Sequence, residues 1–231
     1  MRNNGKHPLI IPKNVWALGI VSLLMDLSSE MILSILPIFL VTGLGVSVLT
    51  LGLIEGFAEG AASVIKAFSG MLSDYLKKRK ILIVIGYGLS TLTKPFFALA
   101  STATWIFTAR FVDRLGKGIR GAPRDSLIAD STSTKIRGTA YSLRQALDTI
   151  GALLGPIFAI IILYLTTNNF RLVLWFAVIP AVLCIVVLIF GVKESTLKKN
   201  ISRKKSYFLF KNFLKITPVI WLFFLTVFIL N

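Results

Sequence analysis

The sequence is poor in the residues from which common catalytic and metal sites are built. It holds one histidine, His7, and one cysteine, Cys184, in 231 residues. A lone cysteine excludes an intramolecular disulfide, and a single histidine cannot supply a His-based catalytic group or a zinc site. No metal and no cofactor is expected, nor is an enzyme. Negative charge is scarce too: 10 acidic residues stand against 26 lysines and arginines, for a net charge of +16. In a soluble domain that excess would suggest nucleic acid as a partner. Here the cations fall between apolar runs, so they report topology in a membrane, and no nucleic-acid partner is expected.

What the chain has in abundance is apolar surface. Hydrophobic residues make up 55% of it, with 17 phenylalanines and only 16% charged residues, which is too apolar for an ordinary soluble domain. Six spans are predicted, at 15–41, 49–72, 81–101, 104–125, 139–165 and 172–192, each near the ~20 residues needed to cross a ~30 Å hydrocarbon core. The first is longer than a signal-peptide core and lacks a small-residue cleavage site, so it is read as an uncleaved span. The connections at 42–48, 101–103 and 166–170 carry no charge, whereas the alternate ones carry nearly all the lysine and arginine. By the positive-inside rule the N-terminus, with Arg2, Lys6 and Lys13, is cytoplasmic, together with 77–80, 120–137 and 193–215. A cell (inner) membrane protein of multi-pass topology follows.

The fourth span carries Arg110, Asp113, Arg114, Lys117 and Arg120, and hydropathy alone rejects it. Parity restores it: without that span the next two helices invert and the eight cations of 193–215 are exported. The expected organisation is an all-α integral membrane bundle of six helices over 1–192, a basic cytoplasmic linker at 193–215, and a truncated start of a seventh helix at 216–231.

Acidic residues within the spans need a protein interior. The four in the first two spans, Asp26, Glu30, Glu55 and Glu59, would together cost about 10 to 14 kcal/mol facing lipid. On the first helix Ser22, Asp26, Ser29, Glu30 and Ser34 recur at three and four residues and form one polar stripe. On the second, Gly52, Glu55, Gly56, Glu59, Gly60, Ser63 and Lys66 share that period and add a small-residue face suited to close helix contact. At ~1.5 Å rise per residue, Asp26 lies ~16 Å and Glu30 ~22 Å from the cytoplasmic face, Arg110 ~21 Å and Arg114 ~15 Å. The same count sets Glu55 level with Arg110 and Glu59 level with Arg114. Two tiers result, with Asp113 between them, and the arginines are too few to neutralise every acid. Some carboxylate is then protonated at rest, which is what coupling to a proton requires; structural ion pairs tying the helices together are the other reading.

Between the second and third spans, 70–80 reads Gly-Met-Leu-Ser-Asp-Tyr-Leu-Lys-Lys-Arg-Lys. Gly70, Leu72, Asp74, Lys78 and Arg79 resemble the G-x-L-x-D-(R/K)-x-G-R-(R/K) signature of the major facilitator superfamily of secondary transporters. Tyr75 stands where that signature has a basic residue and Lys77 where it has glycine. The 110–118 segment resembles the family's R-x-x-x-G motif, with Arg110 or Arg114 as the equivalent arginine and the distance to 128–130 favouring Arg110. Gly151, Gly155 and Pro156 resemble the core of its antiporter motif in the fifth helix, although Ala159 and Ile160 replace the closing glycines. Asp26-Leu-Ser-Ser-Glu30, with the 118–125 segment, is similar to a prokaryotic subgroup of unassigned substrate.

The resemblance implies two six-helix bundles of inverted three-helix repeats rocking about a central site. The first and fourth helices would line the cavity, and the second and fifth would gate at the bundle interface. It implies that Asp74 latches the outward-facing state across that interface, with Lys78 and Arg79 in support, and that the cargo is a small molecule such as a drug, siderophore or metabolite. One bundle is present, so the expected function is that of the N-terminal half of a proton-coupled exporter, inactive without a missing C-terminal half that could be a separate chain. The alternative is a half-size membrane module that homodimerises or regulates. An intramembrane hydrolase using Asp26 and Glu30 lacks any feature that would activate water.

Overall fold

The computed structural model describes residues 11–43 and 45–194. The predicted linker and seventh helix therefore lie outside the described residues, apart from Lys193 and Glu194. Within the described residues seven α-helices run α1 Lys13–Ile38, α2 Val48–Leu76, α3 Arg79–Leu99, α4 Ala103–Ser131, α5 Arg137–Leu165, α6 Phe170–Phe176 and α7 Val178–Gly191. A π-turn at Phe39–Gly43 closes α1. Helices α6 and α7 are one span broken at Ala177, whose carbonyl accepts a 2.6 Å hydrogen bond from the Ser28 hydroxyl of α1. Five of the described spans are long and apolar enough to cross a membrane by composition. Charge removes α4 from that set, yet it is a continuous 29-residue helix buried among its neighbours, in the place that topological parity required.

The helix ends lie beyond the hydropathy limits because the terminal turns are polar. Helix α2 continues past Leu72 to Leu76, and α4 past Asp125 to Ser131. Gly70, Leu72 and Asp74 thus occupy the last turns of α2 rather than a loop, and only Lys77 and Lys78 connect α2 to α3. Lys77 has φ 54°, in the left-handed region, and its N–H donates to the Ser73 carbonyl. That conformation suits glycine, the residue of the family signature there, and a lysine adopts it against a steric cost.

Packing is pairwise across the two triplets. Helix α1 lies against α5 and α7, and α4 lies against α2 and α3, while α3 meets the α6–α7 span. Close approach depends on glycine at the crossings. A Cβ on Gly155 of α5 would stand 2.6 Å from Glu30 Cβ, one on Gly118 of α4 2.6 Å from the Ala62 carbonyl of α2, and one on Gly86 of α3 2.7 Å from the Gly116 carbonyl. Two apolar clusters fill the bundle. One, with Val15, Leu18, Ile83 and Leu188, sits at the end where α1 begins; the other, with Leu36, Phe97 and Val173, sits at the opposite end. The charged residues of the spans lie between and beside them.

The outward face is apolar. Leu49, Leu53, Phe57, Leu153, Tyr164 and Phe190 are among many large side chains left exposed on α2, α5 and α7. Around a soluble bundle such a surface would drive aggregation, whereas in a bilayer it is the lipid contact.

Candidate ion-coupling cavity

The ionic residues expected to matter separate into two groups. The first lies between α2 and α4. Arg110 is almost fully buried, donates through Nε and Nη2 to both Glu55 oxygens at 2.7 and 2.6 Å, and lies 3.6 Å from Asp113. Arg114 reaches Glu59 at 3.0 Å. These are the two pairs that the depth count set level. The bidentate geometry and burial make Arg110–Glu55 a strong charge-assisted contact.

Lys94 of α3 is the residue that reading the sequence missed. Its ammonium is 1% exposed, donates to Asp113 at 3.1 Å and to the Ser29 hydroxyl of α1 at 2.9 Å. It lies far along an otherwise apolar span, next to Pro95. A lone lysine about 20 Å beyond the basic end of its helix was the available signal, since an intramembrane cation needs a named partner. With it, Glu55, Glu59 and Asp113 are matched by Arg110, Arg114 and Lys94.

The second group is left over. Asp26 and Glu30 of α1 make no ion pair and accept no side-chain hydrogen bond among the described residues. They line a cavity of about 480 Å³ bounded by α1, α2, α4 and α5. The serines of the same stripe are differently engaged: Ser22 shares a 3.1 Å hydrogen bond with the Tyr87 hydroxyl and accepts from Arg124 at 3.0 Å. Arg120 lies over the Tyr87 ring at 4.4 Å and donates to Ser90. Across the cavity Arg144 holds Asp148 at 2.9 Å and Asp125 at 3.4 Å.

The remaining sequence-predicted residues fall elsewhere. Gly151 and Gly155 of α5 contact α1, the former against the Leu23 backbone and the latter against Leu27 and Glu30, so they serve the α1–α5 contact within this bundle. Pro156 lies in the same helix, beside them. A Cβ on Gly52 or Gly56 of α2 would meet nothing within 4 Å among the described residues. At the basic end Arg79 bridges Asp74 at 3.4 Å and Asp130 at 3.0 Å, while Lys78 occupies the N-cap of α3. Leu72 is exposed. Glu194, not anticipated, accepts from the Arg79 and Lys80 N–H groups at 3.0 and 2.9 Å and so caps α3 from the far end of the bundle's chain.

Two interleaved helix triplets around a polar cavity, set in an apolar shell, form the architecture of a secondary-transporter bundle. The sequence profile of the Major Facilitator Superfamily matches residues 18–231, and the chain belongs to that family of transporters. It is 35% identical over 202 residues to an uncharacterized MFS-type transporter of Methanocaldococcus jannaschii, covering 87% of this chain and 50% of that protein. It is 29% identical over 154 residues to the multidrug resistance protein MdtH of Photorhabdus laumondii, covering 67% and 37%. Among solved structures, a POT family transporter in complex with 5-aminolevulinic acid superposes with a TM-score of 0.70 at 17% identity, over 94% of this chain and 47% of that one. The chain spans about half the length of the relatives it matches.

Proposed function

We propose that this bundle is the N-terminal half of a proton-coupled secondary transporter that exports a small molecule by alternating access, with its N-terminus in the cytoplasm and a second six-helix bundle completing the pore. The observation that carries the coupling is the contrast on the cavity wall. Glu55, Glu59 and Asp113 of α2 and α4 are each paired with a cation, whereas Asp26 and Glu30 are held at a polar cavity with no ion-pair partner among the described residues. A carboxylate without a counter-ion gains a proton more readily than one in a bidentate arginine pair, so α1 supplies groups that exchange protons as the cavity changes sides. Export is supported by similarity to MdtH, and the cytoplasmic N-terminus by the distribution of lysine and arginine.

The test uses everted vesicles carrying the complete transporter with an imposed pH gradient. Asp26→Asn and Glu30→Gln, each singly, should abolish proton-driven accumulation while substrate-driven exchange stays measurable at raised substrate concentration. Glu55→Gln should impair both, through loss of the Arg110 contact. Proton-driven transport at wild-type rate in the Asp26→Asn, Glu30→Gln double variant would sink the reading.

A further inference from the structure

The charge of the cavity is divided between its walls. On the α1–α5 side three carboxylates, Asp26, Glu30 and Asp148, accompany one guanidinium, Arg144. On the α2–α4 side four cations, Lys66, Lys117, Arg120 and Arg124, accompany two carboxylates, Glu59 and Asp125. The lining is neutral as a whole and polarised across its width. Ion pairs consume only part of this. Arg144 is spent on Asp148 and Asp125, and Arg124 lies 3.4 Å from Asp125. What remains is Asp26 and Glu30 on one wall, and Lys66 and Arg120 on the other, none with an ion-pair partner among the described residues. Lys117 adds to the basic wall, since its 3.8 Å contact with Glu59 competes with Arg114 at 3.0 Å.

Helix packing fixes the two walls as separate bodies. Helix α1 is locked to α5 through Gly151 and Gly155, and α2 to α4 through Gly118 and the Glu55–Arg110 pair, so neither wall can collapse onto the other to neutralise it. The Lys66 stem lies along Gly121, where a Cβ would come within 3.3 Å of its Cε, which holds this lysine across α4 at the cavity. Among the described residues the lining has no aromatic and no branched aliphatic side chain; its apolar members are alanines and glycines. A lipophilic cation would find carboxylates here but no surface to receive its body.

We propose that the substrate is a small zwitterion, its ammonium group held by Asp26 and Glu30 and its anionic group by Lys66 and Lys117. Only a ligand with both charges compensates both walls. An amine or an acid alone leaves the charges of one wall without a counter-charge. The volume of about 480 Å³ lies in the range of small-molecule sites, roughly 300–1,000 Å³, and suits a compact polar molecule. This substrate class rests on the transporter reading above and deepens it.

The experiment measures acylation of individual lysines, by peptide mass spectrometry, on the 231-residue chain in lipid nanodiscs. Lys13 and Lys135, exposed and outside the cavity, serve as internal references. Glycine, β-alanine and γ-aminobutyrate are compared with butyrate, butylamine and tetraphenylphosphonium. At saturation at least one zwitterion should slow acylation of Lys66 and Lys117 severalfold, with no change at the references, and the single-charge probes should not. Asp26→Asn with Glu30→Gln should raise the half-protecting concentration about tenfold or more. Equal protection by butyrate, protection by tetraphenylphosphonium, or protection by no zwitterion would each overturn the proposal. Proton-driven transport of some other solute that still depends on Asp26 and Glu30 would leave the coupling reading standing while this one falls; zwitterion protection weakened in the Asp26→Asn, Glu30→Gln double variant, whose accumulation of the zwitterion at saturating concentration is still driven by an imposed pH gradient, would do the reverse.

Discussion

The α2–α4 contact and the inner face of α1 both carry acids at membrane depth, and they are built on opposite terms. Between α2 and α4, with Lys94 of α3, each carboxylate has a cation within 3.1 Å; Arg110, Lys94 and Asp113 are all less than 5% exposed, while Glu55 and Glu59 are half-buried. On α1, Asp26 and Glu30 are half-buried at a cavity and have no ion-pair partner among the described residues. Paired charges at that depth are committed to holding helices together, because removing either partner strands the other in a medium of low dielectric. Unpaired ones are free to bind a proton or a ligand. The same residue type is therefore ion-paired on α2 and α4 and left without a cation on α1, among the described residues.

That contrast can be broken most forcefully at Lys94. Lys94→Met should destabilise the bundle by about 3–5 kcal/mol, because Asp113 is left buried with only the longer Arg110 contact, and the unfolding midpoint in detergent should fall accordingly. The smaller change Gly155→Leu should cost about 1–3 kcal/mol by forcing α1 from α5, read in the same melt. Glu194→Ala should remove the cap of α3 at about 1 kcal/mol, visible as faster hydrogen exchange at the Arg79 and Lys80 amides. At the other extreme, Asp26→Asn and Glu30→Gln should change stability by no more than about 0.5 kcal/mol, since no partner is lost. Asp74→Ala belongs near that end too, its carboxylate being 59% exposed and its partner Arg79 retaining Asp130. A large loss at Asp26 and a small one at Lys94 would reverse the comparison.

Much of this was legible in the sequence. Charge parity recovered α4, which composition rejects, and a ~1.5 Å rise per residue placed Glu55 with Arg110 and Glu59 with Arg114. The stripe on α1 set Asp26 and Glu30 on one face, and both line the cavity. Lys94 escaped because its partner, Asp113, is on another helix, and a single cation in an apolar run has no periodicity to reveal it. The glycines were visible but their partners were not. Gly151 and Gly155 meet α1 inside the bundle, while Gly52 and Gly56, spaced identically, meet nothing within its described residues. Spacing encodes a close-packing face, and only the fold decides which helix lies on it. The turn at Lys77 shows the converse: a departure from the signature glycine that nonetheless keeps the glycine-type backbone, φ 54°.

The central claim, that α1 carries the exchangeable protons and the α2–α4 group does not, is tested most directly by modifying the 231-residue chain in lipid nanodiscs with a membrane-permeant carbodiimide, which reacts with protonated carboxyls. Peptide mass spectrometry across a pH series should find the adduct at Asp26 and Glu30, rising as pH falls, with Glu55, Glu59 and Asp113 unmodified until the bundle unfolds. Adducts at Glu55 or Glu59 at the same pH and rate, or none at Asp26 and Glu30, would contradict it.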